Sequence, residues 1–147
     1  MNSIELKNKV GSAMYYLIKD KGVASPVEVL ISVGVLSKEN YEKWRHGKVP
    51  YLESVCQVNL SKLSAINHEI RAFAQKNNLK PSWTYYKKWG QNKKGNKDNA
   101  LKLRFSKSGR EEIERQYATH YISIQKIEEI KKQSEALKNN EDFDTIK

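Results

Sequence analysis

The sequence predicts a mostly helical protein with one small antiparallel β-hairpin and a long C-terminal helix. Three observations lead to this fold class. Apolar residues recur every three or four positions through most of the 147 residues, as they do on one face of a helix. Helix-start signals precede several of these stretches. Only residues 83–89 and 101–106 alternate apolar and polar side chains with the period of two that strands have.

Three helical patterns occupy the N-terminal part of the chain, residues 1–49. They cover about 4–20, 26–33 and 38–46. The second has the clearest start, because Ser25 and Glu28 form a capping box and a proline occupies the first helical position. Glycines that follow the three patterns can end each helix, so this part is predicted to be entirely helical.

The middle part, residues 50–109, is predicted to contain a helix and the hairpin. A short helical segment follows Pro50, and residues 60–77 then form the cleanest amphipathic pattern of the chain. The two alternating stretches follow as hairpin strands, joined by the polar residues 91–99, which include three lysines. This part therefore ends in a hairpin with a basic tip.

The C-terminal part is predicted to be one helix over residues 110–138, opened by a capping box at Ser108 and Glu111. Its isoleucine and tyrosine side chains form a long apolar stripe. That stripe either packs within the chain or joins two copies in a homodimer, and the sequence leaves both open. Residues 139–147 are predicted to be a disordered tail.

Positive charge is concentrated in the middle of the chain. The 27 basic and 17 acidic residues give a net charge of +10, and residues 41–110 alone carry +12. Within residues 76–110, Asp98 is the only acid. Such a one-sided block indicates an anionic partner, most often nucleic acid. A solubility patch and an acidic protein partner are the alternatives, and no membrane is expected because the basic residues do not follow one amphipathic helix.

Composition excludes several classes of protein. No apolar run approaches the roughly 18–20 residues that a membrane span requires, and the N-terminus lacks the pattern of a signal peptide. The single cysteine, Cys56, excludes an internal disulfide framework and a multi-cysteine zinc site. We therefore expect a reducing, cytoplasmic location.

The sequence offers little support for an enzyme. Each of the three histidines is isolated from other metal ligands, and no cofactor motif is present, so we expect no metal and no cofactor. Cys56 fits a small core residue better than a nucleophile. Tyr117 and Tyr121 lie on the apolar stripe of their helix, which argues against a tyrosine nucleophile. A nuclease remains the alternative from the enzyme class.

The segment VNLSKLSAINHEIRAFAQKNNLKPSWTYYKKWG resembles the recognition helix and wing of winged helix-turn-helix DNA-binding proteins, and the likeness covers residues 50–106. It implies that helix 60–77 enters the DNA major groove and that loop 91–99 is the wing. A second stretch, SPVEVLISVGVLSKENYEKWRHG at 25–47, looks like a helix-turn-helix with Gly34 in its turn. That stretch either contacts nucleic acid, with Arg45 reading a base, or only packs the core.

The resemblance implies that the polar residues of helix 60–77 face the nucleic acid. These are Ser61, Lys62, Ser64, Asn67, His68 and Arg71. Among them, Asn67 can pair with an adenine edge and Arg71 with a guanine edge. Cations of the hairpin are expected to neutralise phosphates, and they are Lys87, Lys88, Lys93, Lys94, Lys97, Lys102 and Arg104.

The function expected from these features is binding of double-stranded DNA, as a transcriptional regulator or accessory factor. The alternative is RNA or single-stranded nucleic acid, whose unpaired bases stack on exposed aromatic rings. Trp83, Tyr85 and Trp89 share one face of the predicted strand and are therefore expected in the core. Tyr86 points the other way and is expected to be exposed.

Overall fold

Six α-helices and three strands make up the part of the chain that the structure describes. The structure is a computed structural model that describes the backbone of residues 2–90 and 102–146, and side chains up to residue 138. The helices are α1 (Ser3–Lys21), α2 (Pro26–Ser32), α3 (Lys38–Arg45), α4 (Leu60–Lys76), α5 (Glu111–Ala118) and α6 (Ile124–Ile146). The strands are β1 (Val23–Ala24), β2 (Lys80–Trp83) and β3 (Thr119–Ile122), and Leu52–Val55 forms a 3₁₀ turn. The mostly helical fold class with a small antiparallel sheet is confirmed.

The first four helices begin where the sequence predicts, because each has a side-chain cap. An oxygen of the capping side chain accepts a hydrogen bond of 2.8–3.3 Å from the backbone N–H three residues later; the caps are Asn2, Ser25, Ser37 and Asn59. Helix α1 ends at Gly22, which has a φ of +76°. A Cβ atom there would lie 2.7 Å from Cγ1 of Ile127, so this glycine also allows α6 to pack closely.

The sheet has the order β1-β3-β2, with both pairs antiparallel. Its pairing differs from the predicted hairpin, because residues 80–83 pair with β3 rather than with residues 101–106. Within the part of the predicted pair that the structure describes, one bridge joins Lys87 and Lys102. Strand β3 is rich in β-branched and aromatic residues and offers two edges, which explains why both other strands join it.

The prediction of one helix over residues 110–138 is wrong, because β3 interrupts it. Helix α5 ends at Ala118, and α6 starts only at Ile124. The apolar residues that predicted a single helix are instead distributed over α5, β3 and α6. Helix α6 continues to Ile146, into the segment predicted to be a tail. The described side chains of residues 131–138 are all exposed, so this part of α6 lies away from the core.

Aromatic rings join the two halves of the core. Trp44 of α3 is fully buried, and its ring centroid lies 5.1 Å from that of Phe105, which in turn stacks on Tyr117 of α5 at 5.6 Å. The indole N–H of Trp44 donates a hydrogen bond of 2.8 Å to the Arg104 carbonyl. Leu103 and Phe105 are buried as their alternation predicts. This cluster fixes α3 and α5 against the segment between them.

Two carboxylates hold the loop that follows Phe105. Glu114 accepts hydrogen bonds from the backbone N–H groups of Phe105 and Ser106, at 2.9 and 2.8 Å, and from the Ser106 hydroxyl at 2.6 Å. Glu53 accepts from the Lys107 N–H at 2.7 Å and from the Tyr117 hydroxyl at 2.6 Å. These bonds satisfy backbone donors that no strand partner reaches.

Candidate nucleic-acid interface

Helix α4 does not present the predicted reading face. Asn67 is only 5% exposed, so the prediction that it pairs with a base is wrong. It lies four residues after Leu63 and three before Ile70, both buried, and this spacing places it on the inner side of the helix. Arg71 is half-buried, and its Nη1 atom is fully covered. Asn67 is therefore not available for a base edge in the way the resemblance implies, whereas the role of Arg71 stays a prediction.

The exposed stripe of α4 carries a full positive charge only at its C-terminal end, at Lys76. Ser61, Ser64 and His68 are exposed there, whereas Lys62 is half-buried. Hydroxyl groups and a histidine offer little attraction for phosphates compared with lysine or arginine. The helix is therefore accessible on one side, but most of the cations predicted to contact nucleic acid belong to other segments.

The cations of the predicted hairpin have different environments. Lys87 and Lys102 are exposed, and Lys88 is half-buried. The exposed Arg104 uses its guanidinium to donate to the carbonyls of Ser106 and Lys107, so it also stabilises the loop. The remaining three predicted cations lie outside the described residues, together with loop 91–99; they are Lys93, Lys94 and Lys97.

The end of α3 packs directly against residues 86–89. The backbone N–H of Trp89 donates a hydrogen bond of 2.6 Å to the Arg45 carbonyl. Gly47 follows with a φ of +72°, and a Cβ atom there would lie 2.9 Å from Cε of Lys88. A larger residue at this position would therefore have to displace the lysine as well as adopt a strained backbone. This packing brings Arg45 beside the lysines of residues 86–89.

Cations and aromatic rings alternate on this surface, which we call the aromatic–cation face. Its members are Tyr41, Arg45, His46, Trp83, Tyr85, Tyr86, Lys87, Trp89, Lys102 and Arg115. The Arg45 guanidinium lies 4.6 Å from the centroid of Trp89, and the Arg115 guanidinium lies 4.8 Å from that of Trp83. The Lys102 ammonium lies 4.3 Å from the Tyr85 ring. These distances are within the range of cation–π attraction.

The predicted orientation of the aromatic side chains is largely reversed. Trp83 and Trp89, expected in the core, are 47% and 39% exposed. Tyr86, expected at the surface, packs 5.4 Å from both Trp44 and Phe105. The alternation fails because the regular strand ends at Trp83, so side chains beyond it no longer follow a period of two.

A cavity of about 530 Å³ opens in the aromatic–cation face. Its walls include Tyr41, Arg45, Thr84, Tyr85, Tyr86 and Lys87. No residue of α4 lines it. Of the predicted site residues, the structure thus brings Arg45, Lys87 and Lys102 to the aromatic–cation face, and none of those on α4 lines its cavity.

Two neutral side chains form part of the inner wall of this cavity. The Tyr86 hydroxyl and Nε2 of His120 lie 3.1 Å apart. Burial raises the pKa of Tyr86 to about 12. Burial also lowers the pKa of His120, an effect that the nearby Glu28 partly opposes and Lys21 reinforces. Both groups are therefore uncharged near neutral pH.

The lowered pKa of His120 predicts a loss of stability on acidification. Between about pH 7 and about pH 5, the unfolded histidine takes up a proton before the folded one does, so the free energy of unfolding falls with the pH. We expect His120→Gln to show a shallower decrease, measured by urea denaturation across this range. The control His68→Gln, at an exposed histidine, should keep the wild-type profile. An unchanged profile in His120→Gln would contradict the prediction.

The described residues contain no group of three or more histidine, cysteine, aspartate or glutamate side chains placed to hold a metal ion. Burial and the nearby Glu53 carboxylate raise the pKa of Cys56 to about 12, so its thiol stays protonated. Burial and the hydrogen bond to Glu53 likewise raise the pKa of Tyr117. None of the described helices combines the length and apolar character needed to cross a membrane.

Comparison of this chain with protein-family models, curated proteins and solved structures gave no match.

Proposed function

We propose that the chain is a cytoplasmic nucleic-acid-binding protein and that the aromatic–cation face is its contact surface. The observation that carries this proposal is the pairing of two exposed tryptophans with cations within one face. The face also belongs largely to the segment of the sequence that holds the +12 charge. Tryptophan and cations side by side match both parts of a nucleotide, the base and the phosphate.

The cations provide the attraction for the phosphate backbone. Lys87 and Lys102 are exposed and connected by a backbone bridge, so their ammonium groups belong to neighbouring parts of the surface. Arg115 of α5 is also exposed beside Trp83, where its guanidinium forms an ion pair of 3.1 Å with Glu111. Each cation that neutralises a phosphate releases condensed counterions, and this release favours binding at low salt.

The exposed indole rings favour a nucleic acid with unpaired bases. In a duplex, the faces of the bases are stacked on one another and are not available to a protein side chain. In RNA loops and single strands, those faces are free to stack on tryptophan and tyrosine. Trp83 and Trp89 therefore support RNA or single-stranded nucleic acid over an intact duplex.

Duplex DNA is the second candidate, and the geometry of α2 and α3 favours it. Gly34 has a φ of +85° in the turn between these helices, and Val35 and Leu36 beside it are buried. Helix α3 exposes Lys38 and Lys43 on its outer side. This candidate keeps the resemblance to helix-turn-helix proteins as a proposal, with α3 rather than α4 at the DNA.

Competition binding at several salt concentrations tests the proposal. Labelled single-stranded RNA, single-stranded DNA and a blunt DNA duplex serve as probes, and the affinity for the strands is expected to fall steeply with salt. The double variant Lys87→Ala/Lys102→Ala should lower the magnitude of the logarithmic salt slope by about 1.4, because two phosphate contacts are lost. Lys131→Ala/Lys132→Ala on the exposed part of α6 removes the same charge and should leave the slope unchanged.

Three outcomes decide between the candidates. Tighter binding to the strands than to the duplex supports the aromatic–cation face. Tighter binding to the duplex, weakened by Lys38→Ala/Lys43→Ala, supports α3. Affinity that does not change with salt would overturn both, because no phosphate contacts would then contribute.

A further inference from the structure

We infer that the cavity in the aromatic–cation face holds one unpaired base of the bound strand. This inference rests on the proposed function and deepens it, since it names the chemical group that the site recognises. It requires a space of suitable size, flat apolar walls, hydrogen-bonding groups inside and cations at the entrance. The described residues provide each of these.

The size and walls of the cavity suit a flat ring. Its volume of about 530 Å³ lies within the range of small-molecule sites. Three tyrosines, Tyr41, Tyr85 and Tyr86, contribute aromatic surface to the walls. Tyr86 is fixed in place by Trp44 and Phe105, so its ring is already ordered before a ligand arrives. A rigid wall reduces the entropy lost on binding.

Polar groups inside the cavity match the edge of a base. Arg45 contributes donors, and its buried Nε has no hydrogen-bond partner among the described residues. The guanidinium is held between the Tyr86 and Trp89 rings, 5.0 and 4.6 Å from their centroids, which restricts its direction. Glu28 offers carboxylate oxygens that also bind Ser25 and Lys21. Base edges carry both donors and acceptors, so a site with both is complementary to them.

The surroundings of the cavity suit the neighbouring nucleotides of the same strand. Lys87 contributes to the lining and is exposed, which places a cation where a phosphate would pass. Trp89 and Trp83 present exposed rings on the same face for the bases on either side. A base can enter such a cavity only when it is unpaired, so this arrangement discriminates against an intact duplex.

Thr84→Leu tests the inference, because Thr84 is exposed and lines the cavity. The branched side chain narrows the space without changing charge. The probes are a short labelled single strand and an abasic strand of equal length and charge. The wild-type protein is expected to prefer the strand with bases by about 5- to 150-fold, the range of base–aromatic stacking. Thr84→Leu should lose the part of this preference that the base in the cavity contributes and should keep its affinity for the abasic strand, while stacking on Trp83 and Trp89 remains. Thr84→Ser should behave as wild type.

A second variant makes the test independent of how Thr84→Leu folds. Arg45→Lys keeps the charge but loses the planar guanidinium, so it should also weaken binding of the strand with bases more than that of the abasic strand. Equal binding of both strands by the wild-type protein, or an unchanged preference in both variants, would overturn the inference. Failure of the wild-type protein to bind either strand would instead overturn the proposed function.

Discussion

Replacing Trp44 with alanine is expected to lower the free energy of unfolding by about 3–5 kcal/mol. The side chain is fully buried and contacts Tyr41, Tyr86 and Phe105, so its removal leaves a cavity between α3 and the segment around Phe105. The Arg104 carbonyl also loses its indole donor. A small domain has only about 5–15 kcal/mol of stability, so the variant is expected to be close to unfolded. Urea denaturation followed by circular dichroism measures the change.

Trp44→Phe separates the two causes of this loss. It keeps an aromatic ring in the cluster but removes the hydrogen bond of 2.8 Å to Arg104. The Arg104 carbonyl still accepts a hydrogen bond of 3.1 Å from the backbone N–H of Leu52. Trp44→Phe should therefore destabilise the protein less than alanine does, by about 0.5–1.5 kcal/mol for the lost hydrogen bond in addition to the effect of the smaller ring. Equal losses in both variants would show that the hydrogen bond, rather than the buried volume, dominates.

Replacing Glu114 with alanine is expected to lower the free energy of unfolding by about 2–4 kcal/mol. One carboxylate accepts three hydrogen bonds from Phe105 and Ser106, and bonds to charged groups contribute about 1.5–3 kcal/mol each before the loop relaxes. Both residues are buried, so their N–H groups cannot readily exchange the carboxylate for water. The free energy of unfolding in urea is again the measurement.

Glu112 provides the matched control for Glu114. It lies in the first turn of the same helix, is exposed, and pairs only with the exposed Arg110 among the described residues. Glu112→Ala should change the stability by no more than about 0.5 kcal/mol, because exposed ion pairs contribute little. A similar loss of stability in both variants would indicate a general effect of charge on α5. It would contradict the proposal that Glu114 stabilises the loop through its hydrogen bonds.

The helices of the first half were predictable because their signals are local. Ser25, Ser37 and Asn59 each directly precede a helix and accept a hydrogen bond from the backbone N–H three residues later. No distant contact is needed to recognise such caps. The sheet was not predictable in the same way, because Val23 pairs with Ile122 and the two are almost a hundred residues apart. Local periodicity cannot distinguish a strand that is held by such distant partners from another turn of helix.

The candidate site was predictable only in part. The interleaving of aromatic and basic residues over 83–89 is visible in the sequence, and it identified the segment that carries the aromatic–cation face. The contacts of Arg115 with Trp83 and of His120 with Tyr86 depend on how β3 pairs, so sequence patterns do not reveal them. The burial of Asn67 had a signal, since its spacing from the apolar residues of α4 already placed it inward.

The central place of β3 has a consequence for how the protein is made. Both β1 and β2 leave the ribosome without their partner, since residues 119–122 are synthesised after them. The inner wall of the cavity is also incomplete until His120 has emerged. A nascent chain that stops at Ala118 would therefore expose two unpaired strand edges to other nascent chains, and the same edges would hinder any attempt to produce the N-terminal helices as a separate fragment.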